Sequence, residues 1–183
     1  MSMTGHGQQV AGTGAQSAAE AIDELYRAHA IALIRFALML VGDRDTAEDV
    51  VQEAFFGLYR GWARLTVSHP DEPVNLTGYL RASVLNGCRS VQRSRGRARL
   101  RRIPHEPPVW SAEAAAMDGE DRRAVLAAVA RLPRRQREVL ALKYYLDLGE
   151  HEIAAILGVS RGTVSSTAAR ALTALAGQLR EER

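Results

Sequence analysis

The chain has a single cysteine, little aromatic content and no apolar run that would cross a bilayer. Cys88 has no partner for an internal disulfide, so the fold does not rest on cross-links and a reducing compartment fits. No stretch approaches the roughly 20 apolar residues that a membrane span needs. Residues 1–19 lack a charged n-region and an apolar h-region, which excludes a secretory signal peptide. Their Gly, Gln, Ser and Thr content predicts a disordered tail. Also missing are a glycine-rich phosphate loop, a nucleophile elbow and an HExxH pair. No second cysteine or histidine cluster supplies metal-ligand spacing. Nothing therefore points to catalysis, a metal or a cofactor.

What is present favours helix. Ala, Leu and Arg outnumber Val, Ile and Thr over the 183 residues. That length suits one larger or two small domains. Of the 24 basic residues, 23 are Arg, and they are unevenly placed. Residues 1–80 hold 5 basic and 10 acidic groups, a net of −5. Residues 81–111 hold 8 basic and 1 acidic, a net of +7. Such a dipolar chain offers one face to a polyanion and another to a different partner.

Apolar residues recur at helical spacing in three early segments. The first is Ile22, Leu25, Tyr26, His29, Leu33, Phe36, Ala37 and Leu40. Gly42-Asp43 ends it, and Asp43 can cap the next helix. The second is Ala47, Val50, Val51, Ala54, Phe55, Leu58, Trp62 and Leu65. Residues 66–74 contain proline and predict a loop. Asn75 can cap the third, with Leu76, Tyr79, Leu80, Val84, Cys88 and Val91. Three stripes that each need a partner predict a bundle, with His29 and Cys88 as core residues. Residues 103–117 hold three prolines and no period, so they predict a flexible linker. A second helical block begins near Asp118. It contains Val125, Leu126, Val129 and Leu132, then Pro133 as a first helical residue, then Val139, Leu140, Leu142, Tyr144 and Leu146. The fold class is all-α: two small helical domains, 20–102 and 118–183, after a tail at 1–19.

Residues 150–169 (EHEIAAILGVSRGTVSSTAA) have the landmarks of a helix-turn-helix. Ala154 is small where a second helix crosses. Gly158 falls where the first helix stops and a positive φ is needed. Ser160 can cap the next helix, and Val164 points into the angle between the two. Ile153, Leu157 and Val159 close the small core. Such a unit places its second helix in the DNA major groove. The plainer reading is an αα-hairpin without a DNA role.

Two further surfaces carry charge. Arg89, Arg93, Arg95, Arg97, Arg99, Arg101 and Arg102 put seven arginines within 14 residues. They repel one another unless a polyanion is present, and they follow Asn86, which can pair with a base edge. Nucleic acid is one reading, with steep salt dependence; a solvated linker is the other. The second helix is acidic instead, with Asp45, Glu48, Asp49 and Glu53 beside Gln52. Helix-dipole and face-neighbour effects account for Asp45 and Glu48. They account less well for Gln52 and Glu53 followed by an exposed-looking Phe56, for which a docking surface is one reading and a solvated helix face the other.

Together these segments resemble an extracytoplasmic-function (ECF) RNA polymerase sigma factor. The resemblance covers residues 20–180 and rests on the order and spacing of three runs. They are DTAEDVVQEAF at 45–55, GYLR at 78–81 with NGCRS at 86–90, and LPRRQREVLALKYY at 132–145. The NGCRS run and the YYLDL at 144–148 are similar to the actinobacterial, SigE-like branch. The resemblance implies that Asp49, Gln52, Glu53 and Phe56 dock on the polymerase clamp helices. It implies that Asn86, Arg89 and Arg93, with the 66–74 loop, recognise the −10 element and hold it open. It assigns Arg161, Thr163, Ser165, Ser166 and Arg170 to the −35 element. The implied partners are core RNA polymerase and promoter DNA, with an anti-sigma factor as in many members. The implied setting is the cytoplasm, at the nucleoid, with no membrane contact. Ser165 and Thr167 stand where the family usually has basic residues, which puts the strength of the −35 contact in doubt. Three alternatives are weighed against this: a free-standing helix-turn-helix repressor or activator, an enzyme with a DNA-targeting tail, and an anti-sigma-like interaction protein. The first needs one DNA-reading domain, and this chain has two candidates. The second needs a pocket of convergent polar groups in the first domain. The third leaves the +7 segment unexplained.

Overall fold

A computed structural model describes residues 9–67, 75–100 and 120–181. Among these, the regular elements are all helices: α1 (Gln9–Val41), α2 (Arg44–Val67), α3 (Leu76–Leu100), α4 (Glu120–Arg131), α5 (Arg134–Tyr144), α6 (Glu150–Leu157) and α7 (Arg161–Glu181). None is long and apolar enough to cross a membrane. The first three pack together as one bundle, and the last four as a second.

Local chemistry sets the joints. Gly42 takes φ 87° and ends α1, where its N–H reaches the Leu38 carbonyl at 2.9 Å. Asp43 then caps α2, accepting the Thr46 N–H at 2.8 Å. Asn75 caps α3 by accepting the Gly78 N–H at 2.7 Å. Each cap satisfies a donor that the first turn leaves orphaned. The core of the first bundle is Leu33, Phe36, Ala37, Leu40, Ala47, Val51, Phe55, Leu58, Leu80, Val84, Leu85 and Cys88, all buried. A side chain such as Phe36 or Leu58 contributes about 1.5–3 kcal/mol by leaving water. Helices α2 and α3 meet closely at Gly87, where a Cβ would lie 2.8 Å from a Val50 methyl. Gln92 and Arg95 on α3 reach back to the Leu40 and Val41 carbonyls at the end of α1.

The structure departs from the sequence reading in several places. The tail expected over 1–19 is helical from Gln9. The segment is alanine-bearing and proline-free, and extending an existing helix avoids the nucleation penalty. Residues 1–8 lie outside the described residues. Helix α2 runs to Val67, into the segment expected to be loop, and 68–74 are outside the described residues. So is the 103–117 linker. Pro133 is the N-cap of α5 rather than its first residue. Tyr26, Val125 and Tyr144, placed on apolar stripes, are exposed at the stripe edges.

The two bundles also touch, which no sequence pattern indicated. Helix α1 contacts α4 and α5, and α3 contacts α6. The apolar core is continuous from Leu33 and Leu85 through Val139, Leu142 and Ile153.

Asp43 generates a pH prediction. Burial pushes its carboxyl up, but hydrogen bonds from Thr46 and Arg95 and the Arg95 charge outweigh it and hold the pKa below 3.8. A lowered folded pKa contributes stability above the ordinary carboxylate range, and that contribution is lost as pH falls through the folded value. Asp43→Asn should therefore unfold at lower urea than the parent at pH 7, and the gap should narrow below about pH 3.8. A gap that stays constant with pH would show that the charge is irrelevant there.

Candidate nucleic-acid and polymerase interfaces

The helix-turn-helix is built as the spacing implies. Helix α6 starts at Gly149, whose N–H is held by Glu152 Oε2 at 3.1 Å. It ends at Gly158 with φ 65° and ψ 42°, whose N–H bonds to the Ala154 carbonyl. Ser160 Oγ accepts the Thr163 N–H at 3.2 Å and starts α7. Val164 and Ile153 are fully buried between the two helices, with Ala154 and Leu157 beside them. Arg135 Nη2 donates to the Leu157 carbonyl at 3.2 Å and ties α5 to the end of α6.

The outer face of α7 is rich in hydroxyls and light in charge. Arg161, Thr163, Ser165, Ser166 and Arg170 are all exposed. Arg170 is folded back onto its helix, with Nε on the Ser166 carbonyl at 3.2 Å and Nη2 3.4 Å from Thr167 Oγ1. Thr167 is only 4% exposed. Arg170 thus lies against Thr167, the position where the resemblance implies a basic side chain.

On α2, Asp49, Gln52, Glu53 and Phe56 are exposed together, and Phe56 is 59% exposed. Glu53 pairs with Arg60 at 2.5 Å in open solvent, a contact worth little in stability. Around Phe56 runs an apolar groove lined by Ile22, Tyr26, Gln52, Phe55 and Tyr59. Tyr26 and Phe55 meet edge to face with ring centres 5.0 Å apart. The sequence reading missed Tyr26 and Tyr59 as members of this face. Phe56 and Tyr59 lie three residues apart, the spacing of helix neighbours, and that was the available signal.

The arginine cluster divides. Asn86 and Arg93 are exposed on α3, as is Arg97. Arg95 serves the fold, bonding Asp43 and Thr46 at the α1–α2 joint. Arg89 does not face solvent as expected; its side chain is 17% exposed and pairs with Glu138 of α5. The bond is bidentate, Nε to Oε1 and Nη2 to Oε2, each 2.8 Å. Glu138 is 1% exposed, with Arg134 and Arg135 each 3.4 Å from its carboxylate. Burial pushes its pKa up, but the Arg89 hydrogen bonds and the surrounding arginine charges outweigh that and hold it below the usual range. A carboxylate this deep stays ionised only because it is so paired. The side chains of Arg99, Arg101 and Arg102 are outside the described residues.

Of the two residues read as core, His29 is only partly buried and sits at the edge of the bundle, its Nε2 3.4 Å from Thr77 Oγ1. Cys88 is buried, and burial pushes its thiol up to about 12, so it is protonated at neutral pH and unreactive. Among the described residues, no group of His, Cys, Asp or Glu is placed to hold a metal.

Residues 25–98 match the family described as Sigma-70 region 2, and residues 122–175 match Sigma-70, region 4. The chain is 33% identical over 161 residues to the ECF RNA polymerase sigma factor SigE of Mycolicibacterium smegmatis, covering 84% of this chain and 60% of that protein's length. It is 33% identical over 179 residues to the ECF RNA polymerase sigma factor SigL of Mycobacterium tuberculosis, covering 94% of this chain and 96% of that one. Among solved structures, RpoE in complex with the anti-sigma factor NepR, from Bartonella quintana, is similar with a TM-score of 0.66 and 26% identity, covering 88% of this chain and 98% of that one.

The turn itself can be tested. A Cβ at Gly158 would meet nothing within 4 Å, so a substitution meets only the backbone strain of φ 65°. Gly158→Ala should destabilise by about 1 kcal/mol in urea unfolding, and Gly158→Asn by less, since Asn tolerates the left-handed region. Equal losses for both would mean that something other than backbone strain is at work.

Proposed function

The chain belongs to the sigma-70 family as an ECF sigma factor of the actinobacterial type, and from that premise we propose how its surfaces divide the work of initiation. As a sigma factor it acts with core RNA polymerase and directs transcription from promoters. The polymerase performs nucleotidyl transfer, and this chain supplies the address and helps to open the strands. Residues 20–102 form the unit that docks on the polymerase and reads the −10 element, 118–183 the unit that reads the −35 element, and 103–117 the connection. It works in the cytoplasm, at the nucleoid.

The observation that carries the docking assignment is the exposed face of α2. Asp49, Gln52, Glu53 and Phe56 stand clear of the buried stripe Val51, Ala54, Phe55 and Leu58. A large exposed aromatic in an apolar groove, with the carboxylates of Asp49 and Glu53 on the same helix, suits a basic, apolar partner helix. On α3, Asn86 and Arg93 face outward, with Arg89 one turn away, and form the −10 surface. Splaying a base out of the stack costs a few kcal/mol, which contacts made in the opened state must offset. On α7, Arg161 at the N-terminal end and Thr163, Ser165, Ser166 and Arg170 along the outer face form the −35 surface. With so little charge there, its contribution is modest until the polymerase holds both units on one DNA. RpoE, a similar chain, was solved with an anti-sigma factor, and an inhibitor of that kind is the partner expected here outside initiation.

A free-standing repressor is the second reading, and no particular observation favours it: both halves of the chain match sigma-70 regions.

Docking is tested by Asp49→Arg with Glu53→Arg. Both side chains are exposed, so helicity should be unchanged. Affinity for core polymerase should fall about ten-fold or more, equivalent to at least about 1.4 kcal/mol. Unchanged affinity would return these carboxylates to a purely solvated role. Promoter reading is tested by footprinting one promoter with the protein alone, core alone and both. The free protein should bind only non-specifically, with dissociation constants of about 10⁻⁴–10⁻⁶ M at physiological salt. Protection of both elements and strand opening should require the mixture. A sequence-specific footprint from the free protein at nanomolar levels would instead favour the repressor.

A further inference from the structure

Helix α7 is short of the side chains that read bases by hydrogen bonds. Between Arg161 and Thr173 the chain holds no Asn, Gln, Asp, Glu or Lys. That removes the groups that pair with the adenine and cytosine edges in the major groove. Guanine calls for a forked Arg. Of the two arginines in this stretch, Arg170 is turned onto its own helix, with Nε on the Ser166 carbonyl and Nη2 3.4 Å from Thr167 Oγ1. Several hydroxyls are occupied in the same way. Ser160 Oγ and Thr163 Oγ1 lie 2.9 Å apart. Ser166 Oγ donates to the Thr163 carbonyl at 3.2 Å, and Thr173 Oγ1 to the Ala169 carbonyl at 3.0 Å. Ser165 is exposed, but a serine hydroxyl serves different bases and discriminates little.

What the helix has left to offer is aliphatic. Thr163, Ser166 and Ala169 are exposed and three residues apart, so they form one row along the outer face. With its hydroxyl on Ser160, Thr163 keeps its methyl for a base edge, and Ala169 has a methyl alone. In the major groove a methyl has one counterpart, the 5-methyl group of thymine, and Thr and Ala are residues that pack on it. We propose that this chain selects its −35 element through thymine methyl groups, with Thr163 and Ala169 as the specificity-determining residues. The inference rests on the assignment of α7 to the −35 element and names the base chemistry which that surface takes. Contact between methyl groups needs an approach of about 4 Å. Short side chains permit it, and Gly162, exposed one residue before Thr163, adds no bulk. Arg161, exposed at the start of α7, supplies charge to the contact, and the methyl row supplies the choice of base.

The test uses the full chain assembled with core polymerase, and promoters selected from a library randomised over the −35 element. The selected elements should carry thymines. Replacing each thymine with deoxyuridine removes the methyl and leaves base pairing intact. Each contacted thymine should lose about four-fold in affinity with its methyl. Thr163→Ser keeps a hydroxyl for Ser160 but lacks the methyl, so at one position it should bind thymine and deoxyuridine promoters equally, as a cycle between protein and DNA requires. Ala169→Gly should do the same at another position; should it lose helicity, Thr163→Ser carries the test alone. Selected elements without thymine, equal binding of both promoters by the wild type, or a penalty that persists in the variants would overturn the proposal. Scrambling the whole −35 element separates this from the assignment beneath it. If scrambling weakens wild-type binding and deoxyuridine does not, the −35 role of α7 stands and methyl selection fails. If neither matters, that role fails and the proposal falls with it.

Discussion

A single buried carboxylate organises much of this molecule. Glu138 is 1% exposed, and an ion at that depth is tolerated only where cations and hydrogen-bond donors surround it. Arg134 and Arg135 come from its own helix, and Arg89 comes from a helix 49 residues away. Arg135 also reaches the Leu157 carbonyl, where the first helix of the helix-turn-helix ends. The same charge thus fixes how α5 meets α6 and how the second bundle meets the first. A buried ion pair is a poor source of net stability, because desolvation offsets most of the attraction. What it provides here is a defined arrangement: sliding one bundle against the other separates a fork-shaped donor from the one carboxylate that matches it.

The charge pattern along the sequence overstates what DNA can use. Of the four arginines in 89–97, the ones whose side chains are described, two are engaged by protein, Arg89 by Glu138 and Arg95 by the α1–α2 joint. Each arginine held in this way is withheld from a phosphate, so the salt dependence of DNA binding by the free chain should be shallower than a count of arginines suggests. The acidic helix shows the reverse. Its carboxylates are little used inside the fold: Glu53 pairs only in open solvent, while Asp49 and Gln52 stay exposed. The arginine face of α3 is thus partly masked, and the acidic face of α2 is open.

What was legible in the sequence was what is local. Gly42, Asp43, Asn75, Gly158 and Ser160 announce the ends of helices because a positive φ or a capping oxygen acts within three or four residues. The buried stripes were legible for the same reason: helical period depends on nearest turns. Three things were not. The edge of a stripe cannot be told from its centre, so Tyr26 was placed in the core and Tyr59 was passed over, although both border the groove beside Phe56. Composition suggested a tail over 1–19, but helix elongation from an established turn needs little help from side chains, and α1 begins at Gln9. The contact between bundles was invisible because an arginine in a sequence does not name its partner. Arg89 and Glu138 each lie in motifs with their own explanations, and only the fold brings them together.

These features share a physical logic. Under the proposed roles, an α7 with Arg161 and Arg170 on its outer face and an α3 whose Arg89 and Arg95 are engaged by the chain itself make two weak DNA readers. Weakness is useful when a protein must ignore the many non-specific sites of a genome until it is bound to an enzyme. Linking two weak sites on one rigid scaffold raises their joint affinity without any new contact, because the second binding event becomes intramolecular. Strong individual sites would forfeit that dependence, since each could hold DNA alone. The exposed aromatic on α2 has the complementary task. On the proposed docking role it needs no uncovering before it meets the polymerase, because Phe56 is already exposed, so the step that selects the partner precedes the step that selects the sequence.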